Sequence, residues 1–401
     1  MNNPLQPSAT LPVFRAAWIV TAVFILSNAA TPLYTHWQQS LGFASGTLTL
    51  IFSCYILGLL LTLAVAGQLA DHYGRKALLL PGLVIAIIAA LLFEHADSVA
   101  MLMLARLLSG ISVGIVVSAG MANVVEQACE QRRSFASLIA SVSMVLGAGT
   151  GPLLAGVIAQ YLPDPVDTVF NVEIGLLSLA LLVVLRQPHR KLGTGGFRPK
   201  LPSVAREHLG VVALGVSFFG PGLTSTCFVL ALGPKLLASL LHANSPLIAG
   251  SMAFVMFLTA VGVQFAAKKR EMTQVFVLSG IATLLSMGSL WIALQLDSAA
   301  WLIGAAMLAG AGQGLGQLGG LTLIALHIVP QRRAEANAIF NIGGYVPAGI
   351  IAVVTGYLID LFGIHVAISV LAGVIGTLAV LALAVLLGSR RSQGRDTGQP
   401  A

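Results

Sequence analysis

The feature that most limits what this chain can fold into is a series of twelve apolar stretches. They fall at roughly 15–38, 45–69, 76–94, 99–125, 134–161, 168–186, 208–233, 245–267, 273–295, 299–328, 334–361 and 364–388. A helix that crosses a bilayer needs about 20 mostly apolar residues. Twelve such helices use about 240 residues and leave about 160 for loops and tails, which suits a chain of 401. A water-soluble fold is excluded by the same count. Only 9% of the residues are charged, against about 25% in soluble domains, so too little polar surface exists to face water. The hydrophobic share of 57% and a mean hydropathy of +0.92 exclude disorder and collagen as well. Helices, not strands, are expected, because a membrane barrel would show short segments alternating between polar and apolar residues.

The charges that remain are placed unevenly. Nineteen of the 21 Lys and Arg residues lie at the two ends or at junctions that follow an even-numbered span. Arg75 and Lys76 follow span two, Arg132 and Arg133 span four, Lys268 to Arg270 span eight, and Arg332 and Arg333 span ten. The exceptions are Arg106, inside span four, and Lys235, after span seven. The positive-inside rule then puts every even junction and both tails in the cytoplasm, for a multi-pass protein of the cell (inner) membrane. The net charge of +7 is accounted for by these loops, so nucleic acid is not expected as a partner. The run after Arg15 exceeds signal-peptide length and has no small-residue cleavage site, and is expected to be a retained first span. Cys54, Cys129 and Cys227 have no metal or redox spacing and are expected to be packing residues.

The chain is expected to divide into a six-helix bundle at 1–186, a cytoplasmic linker at 187–207, a second six-helix bundle at 208–388 and a cytoplasmic tail at 389–401. The linker is rich in Gly and Pro. The halves look duplicated. Gln131-Arg132-Arg133 recurs as Gln331-Arg332-Arg333, and at the same offset of 200 Gly110, Gly114, Gly120, Gly149 and Gly156 match Gly310, Gly314, Gly320, Gly349 and Gly356. Two six-helix halves related by a repeat are a transporter architecture, with the substrate site at mid-membrane.

Three motifs carry more detail. Between spans two and three stands Gly67-Gln-Leu-Ala-Asp71-His-Tyr-Gly74-Arg75-Lys76. Gly74 permits a tight turn, Asp71 can face a helix N-terminus, and Arg75 offers a rigid fork for a carboxylate. Span four contains Arg106-Leu-Leu-Ser-Gly110-Ile-Ser-Val-Gly114, an intramembrane arginine followed by spaced glycines. A buried arginine marks function by default; an arginine near the span end can also snorkel to the interface. Span five contains Gly147-Ala-Gly149-Thr-Gly151-Pro152-Leu-Leu-Ala-Gly156. Its proline can kink the helix and its glycines allow a close neighbour. Ile351 and Ala352 stand at the matching positions of span eleven, so the motif is confined to the first half.

These motifs resemble those of the major facilitator superfamily, in its twelve-helix drug/proton antiporter (exporter) branch. His72 replaces the basic residue usual in the first motif. The resemblance implies an all-α membrane protein of twelve transmembrane helices in two pseudo-symmetric six-helix bundles. It implies a cytoplasmic latch of Gly67, Asp71, Gly74, Arg75, Lys76 and Glu126, in which Asp71 meets the start of span eleven and Arg75 meets Glu126. It implies that Gly147, Gly151, Pro152 and Gly156 are an exporter motif, and that spans one, four, seven and ten line the cavity.

Coupling chemistry is confined to few side chains. No carboxylate sits at the centre of span one, where several antiporters of the family keep one. Of the fourteen acids, Glu173 alone lies within a span. Glu173 and Arg106 are therefore the proton-coupling candidates, with an interfacial acid as the alternative for Glu173. His327, near the inner end of span ten, is a weaker candidate. For the cavity the candidates are Asn28 and Tyr34 in span one, Phe218 and Thr224 in span seven, Gln313 and Gln317 one turn apart in span ten, and Asn341 and Tyr345 in span eleven, in line with Asn337. Each amide could instead serve helix packing. Gly220-Pro221-Gly222 suggests a locally broken span seven. No nucleotide-binding loop and no catalytic triad stand out. The expectation is a monomeric secondary transporter in the lipid bilayer, not an enzyme, with no cofactor. It would use the proton gradient to export a small organic molecule by alternating access, with protons as the second partner. Proton-coupled import of a metabolite is the alternative, and a membrane sensor or enzyme a third reading.

Overall fold

A computed structural model describes residues 10–188, 203–329 and 332–396; the first residues, most of the expected linker, Pro330, Gln331 and the end of the expected tail lie outside it. Among the described residues there are twelve helices long and apolar enough to cross a membrane, and no strands. They are α1 (Leu11–Leu41), α2 (Ser45–Tyr73), α3 (Arg75–Glu94), α4 (Val99–Glu126), α5 (Arg133–Tyr161), α6 (Pro165–Leu185), α7 (Leu209–Leu241), α8 (Pro246–Ala267), α9 (Met272–Gln295), α10 (Ala299–His327), α11 (Arg333–Phe362) and α12 (Ile364–Asp396). Helices satisfy their own backbone groups, which a bilayer cannot do for them.

The chain forms two compact units. As far as they are described, the first comprises Met1–Phe43, Leu50–Leu201 and Ser245–Phe254, and the second Ala44–Thr49, Pro202–Asn244 and Val255–Ala401. The joins thus fall inside α2 and α8 as well as in the linker.

Within each unit the repeated glycines do the same work. In the first, a Cβ on Gly110 of α4 would collide with the Tyr55 carbonyl of α2, and one on Gly114 would lie 3.1 Å from the Leu59 carbonyl. In the second, Gly310 and Gly314 of α10 press on the Met256 and Ala260 carbonyls of α8. Small residues at these turns let two backbones touch, and the packing replaces a hydrophobic force that lipid does not supply.

Helix continuity differs from expectation at one place. α7 runs unbroken through Gly220-Pro221-Gly222. The glycine there serves close packing: a Cβ on Gly222 would lie 2.6 Å from the Gln313 nitrogen of α10, and Gly316 of α10 returns the approach 2.8 Å from Phe219 Cα. Breaks occur elsewhere. α1 ends its first helical part at Ala29, passes through a 3-10 turn at Thr31–Leu33 and resumes at Tyr34. Pro32 lies in that turn and cannot donate a backbone hydrogen bond. α4 carries a π turn at Val116–Gly120, a feature frequent near functional positions.

Candidate functional site: a buried charge centre and the helix ends around it

Arg106 and Glu173 sit at similar depth in the first unit. Arg106 lies seven residues into α4 and Glu173 eight into α6, which places both roughly 10–12 Å from the helix starts. Both side chains are fully buried, at 0% exposure. The Arg106 side chain is enclosed by its neighbours, and protein also encloses Glu173.

The break in α1 receives the guanidinium. Arg106 Nε donates to the Tyr34 hydroxyl, and Nη1 donates to the Ser27 carbonyl at 2.6 Å. The rings of Tyr34, Phe93 and Phe52 lie 5.1, 5.6 and 5.7 Å from its central carbon. Charge-assisted hydrogen bonds and ring faces together offset the cost of taking the cation out of water. Arg106 Nη2 has no partner, and neither carboxyl oxygen of Glu173 has one. The Thr31 hydroxyl, in the 3-10 turn, is also buried and unpartnered. Aromatic packing links the two helices. Phe170, one turn before Glu173, stacks on Phe93 at 5.0 Å and on Trp37 at 6.1 Å, and Phe93 is the ring that faces Arg106. The first unit therefore buries a fixed cation with one spare donor and, separately, an acid with no partner. Residue spacing along the sequence carries no sign of Ser27, Phe93 or Phe170 as partners. The aromatic character of Phe93 and Phe170 is visible, but the convergence of all three depends on α1, α3 and α6 packing together.

At the end of the first unit that carries the basic loops, Gly74 takes a left-handed φ of 91° and turns the chain from α2 into α3. Gly67 has open space around it. Arg75 pairs with Asp71 at 2.8 Å and with Glu126 at 3.1 Å, so one guanidinium ties α2, α3 and α4. Asp71 remains 71% exposed. Lys76 donates to the carbonyls of Leu185 and Gln187 at 2.7 and 2.6 Å, capping α6. A lysine at a helix C-terminus meets the negative end of the dipole; the loop motif by itself does not reveal this contact.

The glycines of α5 pack on α1. Gly147 meets Thr21 and Phe24, and Gly151 meets the Ile25 carbonyl. Gly250 of α8 packs on the Pro152 carbonyl, and Gly156 on Pro246. Asn28 is buried and donates to Ser27 Oγ at 3.1 Å and to the Ala148 carbonyl at 3.4 Å, a link between α1 and α5.

In the second unit the candidate cavity groups are neutral. Gln264 donates to Gln317 at 3.4 Å, while Gln313 Oε1 is buried with no partner. Thr224 donates to the Gly220 carbonyl at 2.8 Å. Asn341 donates to the Asn337 carbonyl at 2.8 Å, and Asn337 Oδ1 is unpartnered. Phe218 packs inward on Phe276 at 4.8 Å with Leu323 and Leu386. Phe219 stacks on Phe340 at 4.8 Å and meets Tyr345 edge-on at 6.3 Å. His327 is exposed and contacts the Leu323 carbonyl at 3.0 Å.

Twelve spanning helices and a buried arginine held by a neighbouring span define a multi-pass membrane protein. The family model of the Major Facilitator Superfamily matches residues 16–317 and 273–401, and the chain belongs to that superfamily. It is therefore a membrane transporter and not an enzyme. It is 33% identical over 171 residues to an uncharacterized transporter of Rickettsia felis, covering 41% of this chain and 42% of that protein. It is 24% identical over 196 residues to the quinolone resistance protein NorA of Staphylococcus aureus, covering 48% and 49%. The chain thus matches about half the length of these curated relatives. Among solved structures, the nucleoside transporter NupG superposes with a TM-score of 0.74 at 13% identity, over 94% of this chain and 99% of that one. An inward-facing, occupied bacterial homologue of the human lysosomal transporter Spinster gives 0.73 at 13%, over 96% and 98%. At such identity these structures speak to the fold alone.

Proposed function

We propose that this chain is a secondary transporter that exports a small organic compound in exchange for protons, by alternating access, in the cell (inner) membrane with both termini cytoplasmic. The observation that carries the reading is that one unit fully buries both Arg106, with one spare donor, and Glu173, with two spare acceptors. A proton on Glu173 changes a buried charge, and a buried charge change is expensive enough to shift helix packing. The Arg75 pairs with Asp71 and Glu126 supply the loop latch, and the α5 glycines supply the flexible packing that the exporter reading needs. The likeness to NorA supports a drug-like amphipathic cargo, for which amides among aromatic walls are suitable. Protons and membrane potential are the energy source, with no cofactor, and the monomer is the working unit.

The test uses purified protein in proteoliposomes of known orientation with an imposed proton gradient. A quinolone and a nucleoside serve as the two probe compounds. Export by exchange predicts quinolone movement against the proton flow. Movement of either probe with the proton flow would replace export with import. No movement of quinolone in either direction would remove the drug-exporter reading.

A further inference from the structure

Two helix-end clasps of the same design occur at positions related by the offset of 200, and their chemistry is unequal. In the first unit, Gly156 of α5 abuts the Pro246 carbonyl at the start of α8. One turn on, Gln160 Oε1 accepts from Ser245 Oγ at 3.4 Å. In the second unit, Gly356 of α11 abuts the Ser45 carbonyl and Thr49 at the start of α2. One turn on, Asp360 stands in the place of Gln160. One of its carboxylate oxygens accepts from the Ser45 nitrogen at 2.9 Å, and the other from the Gly46 nitrogen at 2.6 Å. Lys235 donates from Nζ to Ser45 Oγ beside it.

The backbone explains the inequality. Position 46 is Gly and position 246 is Pro. Gly46 offers a second N–H, and a Cβ there would lie 2.7 Å from the Tyr357 ring. Pro246 has no N–H, so a carboxylate at residue 160 would find only one backbone donor. Asp360 therefore meets two free donors and the positive end of a helix, where a negative group is favoured. Gln160 makes one long neutral contact. α2 belongs to the second unit up to Thr49 and to the first from Leu50, so Asp360 holds the short part of α2 that joins the second unit.

We infer that Asp360, supported by Lys235, is the charged lock of the transport cycle at the helix ends away from the basic loops, broken and remade in each turnover, with Gln160–Ser245 as its weak counterpart. The inference rests on the alternating-access reading above. It adds positioning residues that the three sequence motifs do not contain.

A probe of Thr49 tests this without any substrate. Thr49 is fully buried behind the clasp. Thr49→Cys is placed in a chain whose three native cysteines are replaced, and its labelling by a charged, membrane-impermeant maleimide is timed in intact cells. Asp360→Asn should speed labelling roughly tenfold, the change expected when a charge-assisted hydrogen bond is lost. Lys235→Met should speed it less, Asp360→Glu should restore much of the slow rate, and Gln160→Glu should leave it unchanged. A parallel chain that retains only Cys54, in the first unit, reports general loosening, and its rate should stay constant. Equal labelling of Thr49→Cys with Asp360 or Asn at 360 overturns the lock, as does a matching rise at Cys54. If Asp360→Asn fails to accumulate in the membrane, Lys235→Met decides, and an unaltered rate there overturns the proposal. Failure of the quinolone assay would leave these rates untouched, so the two readings fail separately.

Discussion

The two units pack their helices alike yet differ in what they bury. α4 on α2 and α10 on α8 use glycines at the same offset against carbonyls at matching turns. At the position of Arg106 the second unit has Ala306, and at that of Glu173 it has Gly373. At these two buried positions only the first unit carries charge, and the second offers the amides Gln264, Gln313 and Gln317 and the aromatic rings around Phe219. Shared packing with unshared chemistry shows that the repeat preserves a scaffold. The proposed proton carrier Glu173 thus has no ionisable counterpart at the matching position of the second unit.

Replacing Arg106 should break this comparison most severely. Arg106→Ala strips the Tyr34 hydroxyl and Ser27 carbonyl of their partner and removes the buried cation from the first unit. Transport should fall by about a hundredfold or more, in keeping with the several kcal/mol at stake when a buried ionic partner is removed. Arg106→Lys should restore little, because it lacks the fork that reaches both acceptors. Activity close to that of the parent in proteoliposomes would take Arg106 out of the mechanism.

Glu173→Gln comes next. The amide is nearly isosteric, so the protein should insert and pack normally while transport loses its dependence on the proton gradient. An unchanged pH profile of transport would leave the first unit without its proposed proton carrier, and with it the functional contrast between the units.

Asp71→Asn should lower turnover by roughly tenfold while leaving insertion intact, since one partner of Arg75 becomes neutral and Glu126 remains. Parent-like turnover would remove the latch role.

The packing likeness itself is sharpened by paired glycine substitutions. Gly110→Ala and Gly310→Ala each push a methyl group into a backbone carbonyl, and each should cost about 1–3 kcal/mol. Thermal unfolding in detergent should show similar losses for both. A loss in only one would mean that the units share appearance but not stability. Gln317→Ala should be the mildest change, below about 1 kcal/mol, because its one contact with Gln264 is long.

Much of this protein is legible in the sequence because a bilayer reads residues locally. Twelve apolar runs give twelve spanning helices, since polarity and length alone decide whether a segment can sit in lipid. Arg106 and Glu173 stand out for the same reason: charges are rare where water is absent. The mismatched place is Gly220-Pro221-Gly222. Those residues look like a break in isolation, but Gly222 is needed for contact with α10 and the helix stays whole. The actual interruption is at Thr31–Leu33 in α1, where Pro32 stands alone. Glycine and proline state that a helix can bend or be approached; the neighbour decides which.

By itself, then, the sequence determined the solvent, the number of spans, the repeat and the few ionisable groups within the membrane. Each of these follows from the polarity of single residues or from identity at a fixed offset. Only the tertiary structure decided that Arg106 is held by Tyr34 and Ser27, that Phe170 and Phe93 join it to the surroundings of Glu173, and that Asp360 caps the start of α2. Those pairings join residues as far apart in sequence as Ser45 and Asp360. A hydrogen bond or a ring contact is fixed by distances of a few ångströms between side chains on different helices, and no local pattern encodes that distance.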